Sequence, residues 1–230
     1  MVQVNPSYYN IRIKFSKVGD LQYISHLDLV RTMQKALKRA KIPLWHTEGF
    51  NPKPKMVFGP PLSIGVESEC EFLDVRTLNT PDFEDIKEKL NQNLPKSLAV
   101  AEVYEPKKSL LEIEWLSYTI TVKTQASSDE LQKKLSDFFG MKQINVLKKT
   151  KKGDQTVDIR PLIKSVSLDG VEGGVKIDCL LSSSSQSFLN PEHIIKAIKA
   201  GTDVFSGDLI NESYTVLRHR AYCADMTEFR

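Results

Sequence analysis

The sequence predicts an α+β protein made of two tandem ferredoxin-like domains, each running strand, helix, strand, strand, helix, strand. Three observations predict it. Stretches of alternating apolar residues and stretches with a helical apolar stripe follow one another in that order. The order runs through twice in 230 residues. The first helix starts also match, with Ser25 followed by Asp28 and Ser127 followed by Glu130, both at capping-box spacing. An internal duplication is the simplest account, with domains at residues 1–107 and 112–230. The polar, proline-containing segment Glu105-Pro-Lys-Lys-Ser109 serves as the linker.

In the first half, Tyr9, Ile11, Ile13 and Phe15 alternate with Asn10, Arg12, Lys14 and Ser16, as a half-buried strand requires. Lys17-Val-Gly-Asp20 breaks the strand. Ser25 then caps a helix whose buried flank is Leu29, Val30, Met33, Leu37 and Ala40, with Arg31, Lys35 and Lys38 on the opposite one. Pro43 closes the helix region. Pro52, Pro54, Pro60 and Pro61 exclude one central strand from Ile42 to Leu62, because each lacks a ladder donor. The reading is a short strand, a loop from Gly49 to Lys55, and a strand resuming over Met56 to Phe58. Glu69 to Val75 is the next strand. A helix starts at Thr80-Pro81-Asp82, with Thr80 as cap and Pro81 first in the helix. Phe83, Ile86 and Leu90 form its stripe, and Leu98 to Tyr104 is the last strand.

The second half repeats the pattern. Trp115 to Lys123 alternates as a strand, and a helix follows Ser127 with Leu131, Leu135 and Phe138 buried and Gly140 as its stop. Ile144 to Lys148 is a strand edge, and Lys148 to Asp154 a basic turn. Val157 to Leu168 and Gly174 to Leu181 are strands. Asn190-Pro191 opens the last helix, and Tyr214 to Tyr222 is the last strand.

Composition narrows the function. With 40% apolar and 27% charged residues the chain is of the soluble globular kind. It has no apolar run of membrane-spanning length, and its first residues lack the pattern of a secretory signal, so a cytoplasmic protein with no membrane partner is expected. Cys70, Cys179 and Cys223 stand far apart in no metal-binding spacing; they read as buried apolar residues, and no metal or cofactor is expected. Charge is distributed unevenly. Residues 10 to 60 hold ten Lys or Arg against three Asp or Glu, a local +7 in a chain of net +3; residues 61 to 105 hold four against ten, a local −6. Such a basic concentration points to a polyanion, RNA first.

The candidate RNA- or phosphate-binding residues are Arg12 and Lys14 on the polar side of the first strand, the helix stripe Arg31, Lys35 and Lys38, and the loop residues Phe50, Asn51, Lys53 and Lys55. The prolines flanking Lys53 pre-order that loop, and Phe50 is placed to stack on a ring or to anchor the loop. Arg160 joins the set, with Asp158 two residues before it on the same face of a predicted strand. For catalysis the candidates are His26, at the first position of the first helix, with Asp28 or Asp20 beside it as partner. No nucleotide-binding glycine loop, nucleophile constellation or HExxH is present.

The run SKVGDLQYISHLDLVRTMQKALKRAKIPL, followed by EGFNPKPKMVFGPPLSIGVESECEFLDV and later by VDIRPLI at Val157 to Ile163, resembles the uncharacterised bacterial family of radical-SAM-linked proteins. The matching positions include Gly19-Asp20, Ser25-His26-Leu27-Asp28, Arg31 and Gly49-Phe50-Asn51-Pro52. The resemblance implies a domain encoded beside, or fused to, a radical SAM protein, and it assigns no activity. Lys53 stands where many members have a histidine, which suits a phosphate contact better than a metal ligand or an acid–base role. In element order alone, the first half is also similar to the ferredoxin-like RNA-processing proteins of CRISPR systems.

The leading expectation is a non-catalytic accessory module that holds RNA, tRNA or ribosomal RNA without distinction, or another phosphate-rich ligand, for a partner radical SAM enzyme. The chain has no CxxxCxxC to bind that enzyme's cluster itself. The alternatives are an RNA-processing or RNA-modifying enzyme with His26 as base, and a subunit that contacts only protein.

Overall fold

Strand β1 (Tyr9–Lys17) opens the first of two units into which the chain divides, one reaching to Leu110 and including Arg230, the other spanning Leu111–Phe229. The computed structural model describes residues 8–150, 153–184 and 187–230, with the side chains of residues 149 and 150 excepted. The N-terminal heptapeptide, Lys151-Lys152 of the basic turn and Ser185-Gln186 of the serine-rich stretch before the last helix lie outside the described residues.

In the first unit β1 is followed by a 3-10 turn (Gly19–Tyr23), α1 (His26–Arg39), β2 (Met56–Phe58), β3 (Val66–Thr77), α2 (Phe83–Asn93) and β4 (Leu98–Tyr104). β1 pairs with both β3 and β4, and β3 with β2, all antiparallel, giving the order β4-β1-β3-β2. One core joins Ile11, Ile13 and Phe15 of β1 and Leu73 and Val75 of β3 to Leu29, Met33 and Leu37 of α1 and Ile86 and Leu90 of α2. Truncating a buried Met33 or Leu37 to Ala would cost about 2–5 kcal/mol.

Helix α1 starts where a capping box predicts. Ser25 Oγ accepts the Asp28 N–H at 3.2 Å and donates its own proton to Asp28 Oδ2 at 2.7 Å. The helix ends without a glycine. Lys41 takes a positive φ of 54°, and the Ile42 N–H reaches back to the Leu37 carbonyl at 3.2 Å, so a Schellman-type closure stops the helix just ahead of Pro43.

Three expectations for this unit are corrected. α2 begins at Phe83 and is capped by Asp82, whose Oδ1 accepts the Asp85 N–H at 3.1 Å; the Thr80 hydroxyl instead donates to the Tyr9 hydroxyl. β3 is longer than Glu69 to Val75, because its first residues pair with the end of β1 across an irregularity between Phe15 and Lys17. The polar side of β1 is not open to solvent along its length, since Arg12 is fully buried.

The second unit contains β5 (Trp115–Lys123), α3 (Ser128–Phe139), β6 (Asn145–Thr150), β7 (Gly153–Asp158), β8 (Ile163–Val171), β9 (Gly174–Ser182), α4 (Pro191–Gly201) and β10 (Ser213–Tyr222). Its sheet runs β10-β5-β9-β8, again antiparallel, and β6 pairs with β7 alone. The single strand expected over Val157 to Leu168 is two strands separated by a 3-10 turn (Arg160–Leu162), because Pro161 cannot donate to a ladder. Together the described residues form a mixed α+β fold of antiparallel strands and four α-helices. None of these helices is long and apolar enough to cross a membrane.

Candidate nucleic-acid interface

The loop between α1 and β2 is a built hairpin. Leu44 bridges Thr77, placing Trp45 so that its N–H reaches the Arg76 carbonyl at 2.9 Å. His46 then bridges Pro54, and Thr47 and Lys53 close the hairpin twice: Thr47 N–H to the Lys53 carbonyl at 2.9 Å, and Lys53 N–H to Thr47 Oγ1 at 3.2 Å. The chain turns at the tip through Gly49, whose φ of +124° a side chain would strain. Phe50 projects there with no part of it covered, at 112% relative exposure. Asn51, Lys53 and Lys55 are exposed with it. This hairpin therefore unites four of the expected binding residues on one short, hydrogen-bonded element.

Arg31, Lys35 and Lys38 are exposed along α1, as the helical period requires. Arg31 contacts Asp28 Oδ1 at 3.4 Å. Lys35, Lys38, Lys53 and Lys55 make no ion pair among the described residues. The acids of the −6 segment are in large part already engaged. Asp74 holds Arg12, Glu84 holds Lys87, Asp85 holds Lys89, Glu102 holds Arg230, and Glu67 accepts the Gly19 N–H. The +7 and −6 sets meet at Arg12 and Asp74, whereas Lys35 and Lys38 of α1 and Lys53 and Lys55 of the hairpin are left to solvent.

His26 is exposed at the first position of α1, with its ring edge against Phe58, centroids 5.2 Å apart at 80°. Beside it lies a small cavity of about 20 Å³, with Lys17, Glu71, Ser25, Phe58 and Pro60 among its walls. Lys17 is 2% exposed, and its Nζ donates to the Leu21 and Gln22 carbonyls at 3.3 and 3.1 Å. The proposed partners of His26 are occupied or apart from it. The Asp28 carboxyl is held below its ordinary value chiefly by the Ser25 hydroxyl, against an opposing desolvation and with Arg31 helping. Asp20 is exposed on the preceding 3-10 turn. No hydrogen bond joins His26 to either acid among the described residues.

Three expected binding residues are placed otherwise. Arg12 is buried and gives two bonds to Asp74 and one, of 2.9 Å, to the Lys108 carbonyl, so it is a structural cation. Lys14 is half-buried, with Phe72 of β3 and Glu102 of β4 as its register partners. Arg160, in the second unit, lies on the 3-10 turn and not in a strand; its Nη1 donates to the Ile163 carbonyl at 3.1 Å, and it lines a cavity of about 360 Å³. Asp158 does not clamp its guanidinium but accepts two backbone N–H groups, from Ile144 and Arg160, at 2.9 Å each.

Two clusters escaped the sequence reading. Arg76 lies over the Tyr8 ring at 4.0 Å and near the Trp45 ring at 5.3 Å, the two rings being 5.8 Å apart, at the root of the hairpin. Its parts lie up to 68 positions apart in sequence, and the β1–β3 register, the Leu44–Thr77 bridge and the Trp45 N–H bond to the Arg76 carbonyl bring them together. In the second unit the Thr119 hydroxyl donates to Asp178 Oδ1 and lies 2.8 Å from His219 Nε2. The register that sets Thr119 opposite Asp178 places the first pair, and an irregularity in β10 near His219 brings in the imidazole. Among the described residues no group of three or more His, Cys, Asp or Glu is arranged to hold a metal ion.

No curated protein matches the sequence. A family model does, that of "Uncharacterized protein conserved in bacteria (DUF2344)", over residues 10–191. That span takes in β1, α1, the basic hairpin and the VDIRPLI segment, and since it covers most of the 230 residues, the chain belongs to this bacterial family.

Proposed function

We propose that the chain is a non-catalytic module that holds RNA, through its phosphates, for a partner radical SAM enzyme. The observation that carries this reading is the set of exposed, uncompensated cations in the first unit: Lys53 and Lys55 on a pre-ordered hairpin, and Lys35 and Lys38 on α1. Lysines act as point charges on phosphate and give position without base identity. The partner enzyme enters through the sequence resemblance, and the engagement of Asp28 with Ser25 and Arg31 speaks against a His26-centred catalytic set. The scaffold reading is two duplicated ferredoxin-like domains. It is supported by the pairing order fourth, first, third, second, which both units follow once the β6–β7 hairpin is set aside.

Lys53→Ala combined with Lys55→Ala tests the phosphate reading. Binding to RNA is expected to weaken about equally across sequences. On a single strand, the salt dependence should flatten by about 0.7 for each phosphate that the double variant no longer neutralises. Stability should change by less than about 0.5 kcal/mol, because both sites are exposed. Unaltered RNA affinity in the folded double variant overturns the reading. A pull-down of the native protein that yields a complex indifferent to nuclease and containing no RNA does so as well.

A further inference from the structure

We propose that Phe50 is a stacking platform for a single unpaired base, so that the RNA taken at the hairpin is single-stranded. This rests on the RNA reading above and names the form of the nucleic acid. Phe50 has its whole side chain in water, at 112% exposure against 56% for Leu27 of α1 and 45% for Val57 of β2. Its exposure is not the result of a slack loop. The Thr47–Lys53 pair of hydrogen bonds and the His46–Pro54 bridge close the hairpin beneath it, and Pro52 and Pro54 restrict the backbone that follows. A rigid display of this kind reduces the ordering cost of binding, which would otherwise oppose the contact.

The surroundings select the ligand. Phe50 is flanked by Gly49 and Asn51, with Lys53 and Lys55 beyond and Glu48 as the one acid from His46 to Lys55. A protein hot spot centres on a desolvated apolar cluster, and here a lone aromatic stands among polar residues and cations. A single strand offers both complements, an unpaired base as a π face for the ring and successive phosphates for the two lysines. Duplex RNA offers the phosphates without the face, since its bases are stacked inside the helix. Inorganic polyphosphate likewise has charge and no ring. At the hairpin's root, Arg76 lies on the Tyr8 ring, which is 39% exposed, and supplies a second cationic and aromatic surface in the same unit.

The test measures affinity of the full chain for a single-stranded RNA, a blunt duplex RNA and inorganic polyphosphate, with wild type, Phe50→Ala and Phe50→Trp. Phe50→Ala is expected to lose about 5- to 150-fold on the single strand, the range for removal of one base–aromatic stack, and to bind duplex and polyphosphate as wild type does. Phe50→Trp should keep single-strand affinity, and its added indole emission, over that of Trp45 and Trp115, should be quenched by single-stranded RNA and not by polyphosphate. Unchanged single-strand affinity in Phe50→Ala, with RNA still bound, overturns stacking and leaves the phosphate reading standing. So does loss of a nuclease-resistant protein partner by Phe50→Ala without loss of RNA affinity. Failure of wild type to bind either RNA overturns both readings. Thermal unfolding of the two variants should match wild type, because the replaced ring covers nothing.

Discussion

Arg12 and Asp74 meet in a two-point pair, Nε to Oδ1 at 2.7 Å and Nη2 to Oδ2 at 2.8 Å, with the arginine side chain fully buried and the aspartate 26% exposed. The β1–β3 register sets the two residues opposite each other. A planar guanidinium matches a carboxylate at two points, and the third bond to the Lys108 carbonyl fixes its orientation.

Breaking that pair is expected to destabilise the fold. Asp74→Ala leaves a buried cation without its counter-charge, which costs about 3 kcal/mol. The measurement is urea unfolding of Asp74→Ala and Arg12→Ala beside wild type. RNA affinity of whatever remains folded should be unchanged, because neither residue reaches the surface cations. A mild stability loss joined to a large affinity loss would return Arg12 to the binding surface.

The Ser25 cap should govern Asp28. Ser25→Ala removes both the acceptor of the Asp28 N–H and the donor to its carboxylate, at a cost of about 1 kcal/mol. A folded-state value held below the ordinary 3.8 means that the ionised carboxylate favours the fold above that value. The contribution is lost as pH falls through the lowered folded value. A carboxyl titration followed by NMR should find Asp28 low in wild type and higher in Ser25→Ala. An unmoved titration would show that the hydroxyl is not the cause.

The cysteines should be silent in the native protein. Burial pushes the Cys179 thiol up to about 12, with neighbouring Asp178 adding to the shift, and Cys70 and Cys223 are 2% and 7% exposed. A thiol reagent near neutral pH should label none of the three until denaturant is added, and then all three. Because the folded value lies above the ordinary 9.0, the stability tied to the neutral Cys179 thiol is complete below pH 9. It declines as pH rises from there toward 12. Rapid native labelling at Cys179 would contradict that burial.

Much of the fold was legible in local patterns. β4 and β5 span the residues their alternation marks, Ser25, Ser127 and Asn190 cap the helices they precede, and β2 is the strand expected over Met56 to Phe58, whereas the short strand expected before the loop is reduced to the isolated bridges of Leu44 and His46. Where two local signals competed, the outcome was not legible. Thr80 and Asp82 both suit a helix cap, and the structure uses Asp82; Val157 to Leu168 reads as one strand, and Pro161 divides it. The binding set was legible in part. Arg31, Lys35 and Lys38 are exposed because the opposite flank of their helix is apolar, a relation contained within α1.

By itself the sequence determined what depends on near neighbours: helical and strand periods, caps, the proline-bounded loop and the concentration of positive charge in residues 10 to 60. These are set by interactions spanning a few residues, so the residue types and their spacing suffice. Only the tertiary structure decided which cations are free to meet a ligand. Arg12 and Lys53 are alike as sequence, each a cation in a polar position. One is buried because strand register brings Asp74, 62 positions away, against it, and the other is exposed because hydrogen bonds across its own hairpin hold it outward. Phe50 was decided in the same way. An aromatic residue beside prolines suits a buried anchor and an exposed platform equally, and the choice follows from whether any packed element comes near enough to exclude water from the ring.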